Sequence, residues 1–364
     1  MKILALANHA YVIHKFRYEL LISLLEDGNE VFMSCPYDNI LDDLIGKGCT
    51  FLPVNFDRHG RNPFDELGLM AYYYKKMRSI KPDVILTYTI KPNIYGGLVA
   101  SFLKIPYIAT ITGLSTAMNK ATVTSFIAQK MLKFALKHAR KVCFQNQDNL
   151  RFMLRQSIVK DNYLLVNGSG VNLEQFSYMD YPSDDKTVRF LFVGRLMSEK
   201  GIIELCEAAK VIFANGYINA EFTVIGFCET DFKQELEKLS LTPNIHFFGV
   251  QNDVRPFIAS AHAIVLPSYQ EGMSNALLEA ASCGRPLIAT NIPGCKEIVD
   301  DGTTGLLVKP KDTSSLLSAL ETFMDLPYAE KKQMGIKGRK KMEKCFDRGI
   351  TVSQYKKIIY GEVA

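Results

Sequence analysis

Short apolar runs alternate with helical patterns along almost all of this 364-residue sequence. One set comprises ILALA (3–7), EVFMSC (30–35), TFLPV (50–54), DVILTY (83–88) and PYIATI (106–111). A second comprises VRFLFVG (188–194), EFTVIG (221–226), NIHFFG (244–249), AIVLP (263–267) and RPLIAT (285–290). Runs this short and this continuously apolar read as strands buried on both faces. Helical segments separate them: 15–27, where Leu20, Leu21, Leu24 and Leu25 form a stripe that ends at Gly28, then 201–214, 230–240, 252–260 and 275–283. Strands alternating with helices build βαβ units and parallel sheets. The fold class is therefore α/β, with two Rossmann-like parallel-sheet domains, and about 150 residues per domain agrees with the length. The polar, turn-rich stretch 167–186 reads as a hinge between domains 1–166 and 187–345, and 346–364 as a C-terminal helix placed to pack back on the first domain.

Composition removes several function classes. A formal net charge of +5 is too mild for a nucleic-acid binder. The eight cysteines are scattered, with no C-x-x-C pair and no accompanying histidines, which argues against a disulfide framework or a zinc site and for reduced, cytosolic thiols. The first apolar run breaks at Asn8 and His9, too early for a signal-peptide core, and no run is long enough to span a membrane. The expectation is a cytoplasmic protein, peripheral on the inner face of the plasma membrane where it meets lipid. Neither G-x-G-x-x-G after the first strand nor G-x-x-x-x-G-K-[ST] is present, so nicotinamide and P-loop chemistry lose support. His9 and His14 stand five apart with no further ligand, and no metal is expected.

Two motifs carry chemistry. In GRLMSEKG (194–201), a strand ends at Gly194 and a helix opens after Gly201. Arg195 offers a planar fork to phosphate oxygens and Lys200 adds a point charge, so both suit a diphosphate that gains negative charge as it leaves. In EGMSNALLE (271–279), Gly272 lets the backbone approach a ligand and Ser274 is placed to cap the next helix. The N–H groups of residues 272–275 would then be free to hold an anion. Glu271 stays in the loop for sugar hydroxyls, and Glu279 can accept both hydroxyls of a ribose.

Together these motifs resemble the donor site of glycosyltransferase family 4, retaining enzymes of the GT-B fold. LLVNGSGVNLEQF (164–176) and PGCKEIVDDGTTGLLV (293–308) are similar to further parts of that family. The resemblance implies two facing domains with the donor between them and closure about 167–186. It implies that Arg195 and Lys200 bind the donor diphosphate, that Glu271 binds the transferred sugar, and that Glu279 binds the ribose. Gly194, Gly272, Met273, Ser274, Asn275 and Gly249 would complete the donor site. The first half, with NHAYVIHKFR (8–17), FDRHGRNPF (56–64), TYTIKPNIYG (87–96) and TITGLS (110–115), resembles bacterial enzymes that extend undecaprenyl-diphosphate-linked sugars, several of them N-acetylgalactosaminyltransferases. His9, His14, Arg17, Arg58, Arg61, Lys91, Thr112 and Gly113 are the candidate acceptor residues. Thr112 stands where many family members carry histidine.

The implied activity is transfer of a hexose or N-acetylhexosamine, best guess GalNAc, from a UDP-sugar to a lipid-linked saccharide. The UDP-sugar is a co-substrate, and no cofactor or metal is implied. A UDP-N-acetylhexosamine 2-epimerase-like enzyme and a non-catalytic sugar-binding protein are the alternatives on the same architecture. Lys130, Lys133, Lys137 and Lys141 recur at helical spacing beside Phe126, Ile127, Met131, Phe134 and Ala135, and such a basic face can meet an anionic membrane.

Overall fold

The computed structural model describes residues 1–55, 62–113, 123–183, 186–229, 232–234, 237 and 242–362. The chain divides into two compact units, Met1–Ser169 with Arg348–Ala364, and Gly170–Asp347.

In the first unit the strands are β1 (Lys2–Leu6), β2 (Glu30–Cys35), β3 (Thr50–Pro53), β4 (Val84–Tyr88), β5 (Tyr107–Ile111), β6 (Lys141–Phe144) and β7 (Tyr163–Leu165). Among the described residues they form one parallel sheet in the order β3-β2-β1-β4-β5-β6-β7. Alternate residues of β1 serve opposite faces, as the pleat requires. Leu4 and Leu6 join a core with Leu69, Tyr73 and Met77 of α3 (Pro63–Ile80). Ile3 and Ala5 join a second core with Leu20, Leu21 and Leu24 of α1 (Ala10–Glu26) and Tyr355 and Ile358 of the C-terminal helix Arg348–Ile359. Helix α1 begins at Ala10, five residues before the leucine stripe suggests, because His9 Nδ1 accepts the Tyr11 N–H at 3.0 Å and caps it. Helices α2 (Asp42–Gly46), α4 (Gly97–Phe102), α5 (Val123–Leu136) and α6 (Gln147–Arg155) complete the unit's connections.

The second unit carries β8 (Val188–Val193), β9 (Ala220–Ile225), β10 (Ile245–Phe247), β11 (Ala263–Leu266), β12 (Leu287–Thr290) and β13 (Gly305–Val308), parallel in the order β10-β9-β8-β11-β12-β13. Helices α7 (Ile202–Ala214), α8 (Arg255–Ser260), α9 (Asn275–Ser282), α10 (Thr313–Asp325) and α11 (Tyr328–Lys341) cover it. Phe190 of β8 stacks on Phe222 of β9 at 4.9 Å and packs on Phe323 of α10, tying sheet to helix layer. In both sheets the chain starts at a central strand, winds outward one way, then returns to the other side. The order therefore reverses between β1 and β4, and again between β8 and β11. Ligands of open α/β sheets bind beyond the carboxyl ends of the strands at such reversals.

Several sequence expectations need correction. β6, β7 and β13 were not among the anticipated strands. The helix expected through 141 stops at Leu136, and Lys141 opens β6, so the four lysines do not share one helix face. The helix expected at 230–240 falls largely outside the described residues. The boundary between the two units, at Ser169 and Gly170, falls inside the stretch read as a hinge, 167–186. Buried Arg285 donates to the carbonyls of Met179 (3.0 Å) and Asp180 (2.8 Å), and Arg339 donates to that of Phe176 (3.0 Å).

Candidate functional site

Because β8 and β11 are neighbours, the loops that follow them leave the second sheet side by side, and three contacts zip them together. Gly201 adopts φ +70°, and a Cβ there would stand 2.1 Å from the Pro267 carbonyl oxygen, so only glycine allows this approach. The Tyr269 N–H donates to the Glu199 carbonyl at 2.9 Å. Lys200 Nζ meets Glu271 Oε1 at 2.5 Å, and Ser268 Oγ donates to the same oxygen at 2.9 Å. The two charged side chains are largely shielded, 19% and 11% exposed. Sequence left Glu271 free for sugar hydroxyls; the structure commits one of its oxygens to Lys200 and Ser268. Cys295 packs close by, fully buried, and burial together with the Glu271 charge pushes its thiol pKa well up, so it is a neutral packing group.

Arg195 lies on the open side of the same loop, 51% exposed, with Nη1 3.0 Å from Glu229 Oε1. The backbone at Gly194 is pressed against the loop after β9, where a Cβ on Gly226 would fall 1.7 Å from the Gly194 carbonyl oxygen. The Gly226 N–H donates in turn to the Gly249 carbonyl at 2.9 Å, aligning the ends of β8, β9 and β10.

On the β11 side, Ser274 caps α9 by accepting the Leu277 N–H at 3.4 Å, and Met273 is buried. The run of free N–H groups expected over 272–275 is interrupted, because the Ser274 N–H donates to the Gly294 carbonyl at 3.0 Å. Asn275 and Glu279 are half-buried one helical turn apart on α9, so they share a face. Tyr269, not anticipated, donates to Glu204 and lies under Lys311 Nζ, 4.9 Å from its ring centroid. Ser268 and Glu229 were also missed. Ser268 stands three residues before Glu271, a spacing that becomes meaningful only once the loop curls. Glu229 carries no sequence signal toward Arg195.

The first-unit candidates cluster at the other reversal. His9 and His14 follow β1, Lys91 follows β4, and Thr112 and Gly113 follow β5. Thr112 and Gly113 line one small pocket with Thr89 and Asn93. Lys91 pairs with Glu66 at 2.6 Å, both side chains under one-fifth exposed. His14 packs edge-on to Tyr18, and burial, with Lys15 beside it, lowers its pKa and favours the neutral ring. Arg17 departs from expectation. It is 2% exposed on α1, its guanidinium 4.5 Å from the Tyr88 centroid and 5.6 Å from that of Tyr355, with Nη1 donating to Phe16 O and Ser169 Oγ. Arg17 is thus buried within the first unit rather than presented on a surface loop. Arg58 and Arg61 lie outside the described residues.

Comparison with known proteins agrees with this fold. Residues 2–146 match the family "Glycosyl transferase 4-like" and residues 187–325 match "Glycosyl transferases group 1". The Campylobacter jejuni N,N'-diacetylbacillosaminyl-diphospho-undecaprenol α-1,3-N-acetylgalactosaminyltransferase is 27% identical over 89% of this chain and 90% of its own length. The Escherichia coli UDP-Gal:α-D-GlcNAc-diphosphoundecaprenol α-1,3-galactosyltransferase is 29% identical over 69% of each chain. Among solved structures, Anabaena HepE in complex with UDP and glucose superposes over 100% of both chains with TM-score 0.81 at 16% identity. The chain is an enzyme of glycosyltransferase family 4, with the GT-B fold of two parallel-sheet α/β domains.

Proposed function

We propose that this glycosyltransferase moves a hexose or N-acetylhexosamine, with GalNAc the first choice, from a UDP-sugar to a hydroxyl of an undecaprenyl-diphosphate-linked saccharide in surface glycan assembly. The observation that carries the donor half is the pairing of the β8 and β11 loops at the sheet reversal, with Lys200 braced by Glu271 and Arg195 presented beside it. Two cations there match a diphosphate that becomes more negative as the sugar leaves, each charged hydrogen bond contributing about 1.5–3 kcal/mol. They also supply the charge that a metal would, so no metal is required. Glu279 takes the ribose, with Asn275 on the same helix face. The acceptor class and the GalNAc choice are supported by the names of the C. jejuni and E. coli relatives.

Both names specify α linkages, and UDP-hexoses are α-linked to phosphate, so the reaction retains configuration. The sugar C1–O bond to the β-phosphate breaks as C1 bonds to the acceptor oxygen on the same face, and the acceptor proton passes to the leaving UDP. The acceptor is membrane-bound, which favours peripheral docking on the cytoplasmic face. Helix α5 suits it: Phe126, Ile127 and Phe134 are 59%, 51% and 62% exposed beside exposed Lys130 and Lys133, with Lys137 just past the helix end. Among the described residues, no helix is long and apolar enough to cross a membrane.

The test incubates the purified protein with a panel of UDP-sugars and prenyl-diphosphate-linked saccharides, reading products by mass and anomeric configuration by NMR. A product one sugar heavier, α-linked and formed in EDTA, is expected. Interconversion of the UDP-sugar without acceptor, or a β-linked product, would overturn the proposal.

A further inference from the structure

Two ion pairs meet at the candidate donor site, and they differ in kind. Glu271 is 11% exposed, and its Oε1 receives both Lys200 and Ser268. Glu229 is 38% exposed and touches Arg195, itself 51% exposed, through the single contact of Oε1 with Nη1 at 3.0 Å. The first is a braced pair in a shielded place. The second is one hydrogen bond between two side chains that solvent reaches, an arrangement that is weak and easily exchanged.

Backbone geometry nonetheless keeps Glu229 within reach of Arg195. The Leu196 N–H donates to the Phe227 carbonyl at 2.8 Å, the Glu229 N–H donates to the Leu196 carbonyl at 3.3 Å, and Leu196 bridges Cys228. The loops after β8 and β9 are thus stitched together immediately beside the two side chains. The carboxylate cannot drift away, yet its hold on the guanidinium is light.

We infer that Glu229 competes with the nucleotide diphosphate for Arg195: it occupies the guanidinium while the site is empty, yields it when the donor arrives, and recaptures it as UDP leaves. The inference rests on the donor reading of Arg195. A carboxylate kept so close to a bound diphosphate also repels it, which acts in the same direction. Glu229 therefore weakens UDP binding and hastens product release. A residue that merely positioned Arg195 would do the opposite, since its removal would loosen UDP.

The sign of one measurement separates these roles. UDP binding is measured by calorimetry for the intact enzyme, Glu229→Gln, Arg195→Ala and the double variant, at low and at about 1 M salt. Glu229→Gln should bind UDP about two- to fivefold tighter, the range of an exposed ion pair. UDP product inhibition should strengthen by the same factor, and the gain should shrink at about 1 M salt, where exposed charges are screened. The gain should largely vanish when Arg195 is already alanine. If Glu229→Gln binds UDP equally or more weakly while Arg195→Ala is impaired, the competitor role is overturned and the donor site stands. An undiminished gain in the double variant also overturns it, since Glu229 would then act without Arg195. If Arg195→Ala binds UDP as the intact enzyme does, the donor reading itself fails.

Discussion

Replacing Lys200 by alanine tests the donor site most directly, because the structure allows both its chemical and its structural costs to be worked out. The ammonium meets Glu271 Oε1 at 2.5 Å. Losing one charged hydrogen bond to a diphosphate costs about 1.5–3 kcal/mol of transition-state stabilisation, or about 10- to 150-fold in kcat/KM. The variant also leaves the Glu271 carboxylate, only 11% exposed, unneutralised where the diphosphate would rest. That repulsion adds to the loss, so Lys200→Ala should fall at least about 100-fold in kcat/KM.

Stability behaves differently. Stranding a shielded carboxylate that keeps its Ser268 hydrogen bond costs about 1–3 kcal/mol. A domain with about 5 kcal/mol at the outset would retain about 2 kcal/mol and stay about 97% folded at 25 °C. A hundredfold loss cannot then arise from unfolding. The assay pairs initial rates and UDP calorimetry at 25 °C with a thermal melt. The melt should drop by about 2–4 °C per kcal/mol lost, and the rate by the factor above. Lys200→Ala/Glu271→Gln should recover part of the UDP affinity, because the stranded charge is gone. A folded Lys200→Ala enzyme within about threefold of the native kcat/KM would refute the argument.

Other outcomes follow from the same geometry. Gly201→Ala, at φ +70° with the Pro267 carbonyl 2.1 Å from the new methyl, should destabilise the second unit by about 2–4 kcal/mol and weaken UDP binding, whereas Gly216→Ala, at φ +88° with nothing within 4 Å, should cost only about 1–2 kcal/mol and leave binding intact; melts and calorimetry compare them. His14 is held below its ordinary pKa, so the unfolded chain takes up its proton first; stability should be unaffected by His14 above about pH 6.5 and decline as pH falls below it, and His14→Gln should flatten that limb in pH-dependent melts. Cys35, Cys49, Cys143, Cys206, Cys283 and Cys295 are buried, so a thiol reagent should modify only the half-buried Cys228 and Cys345 in the native protein, as peptide mapping by mass would show.

Most of the strands that were legible in the sequence are apolar runs with buried residues, although β3, with none fully buried, and the three-residue β10 were legible too. β6 begins with Lys141, β7 is three residues long, and β13 begins with Gly305, whose Cβ would meet Leu287 O at 2.0 Å. The lysine at 141 also explains the overextended basic helix: a 3.6-residue period continues to score after the backbone has turned into a strand. The candidate site was legible where a motif is local, as in the loop 194–201 and the cap at Ser274. It was illegible where a partner is distant. Nothing near Arg17 in sequence predicts Tyr88 and Tyr355 against its guanidinium, and nothing near Arg195 predicts Glu229. A charged residue's role depends on what faces it, and only the strand order determines that.

The same principle bears on which unit would hold the nucleotide. Each sheet has one reversal, and each carries basic residues beside it. In the first unit Lys91 is already paired with Glu66, and Arg17 is shut between tyrosines at 2% exposure. In the second, Lys200 is paired with Glu271 much as Lys91 is with Glu66, but Arg195 is 51% exposed and held by one light contact. Of these four cations, Arg195, after β8, is the one most open to an incoming diphosphate. A polyanionic leaving group needs cations that are fixed in place before it arrives, since charges that must be reorganised during the reaction stabilise it less. Gly201 against Pro267 and Gly226 against Gly194 fix the backbone that carries Arg195 and Lys200.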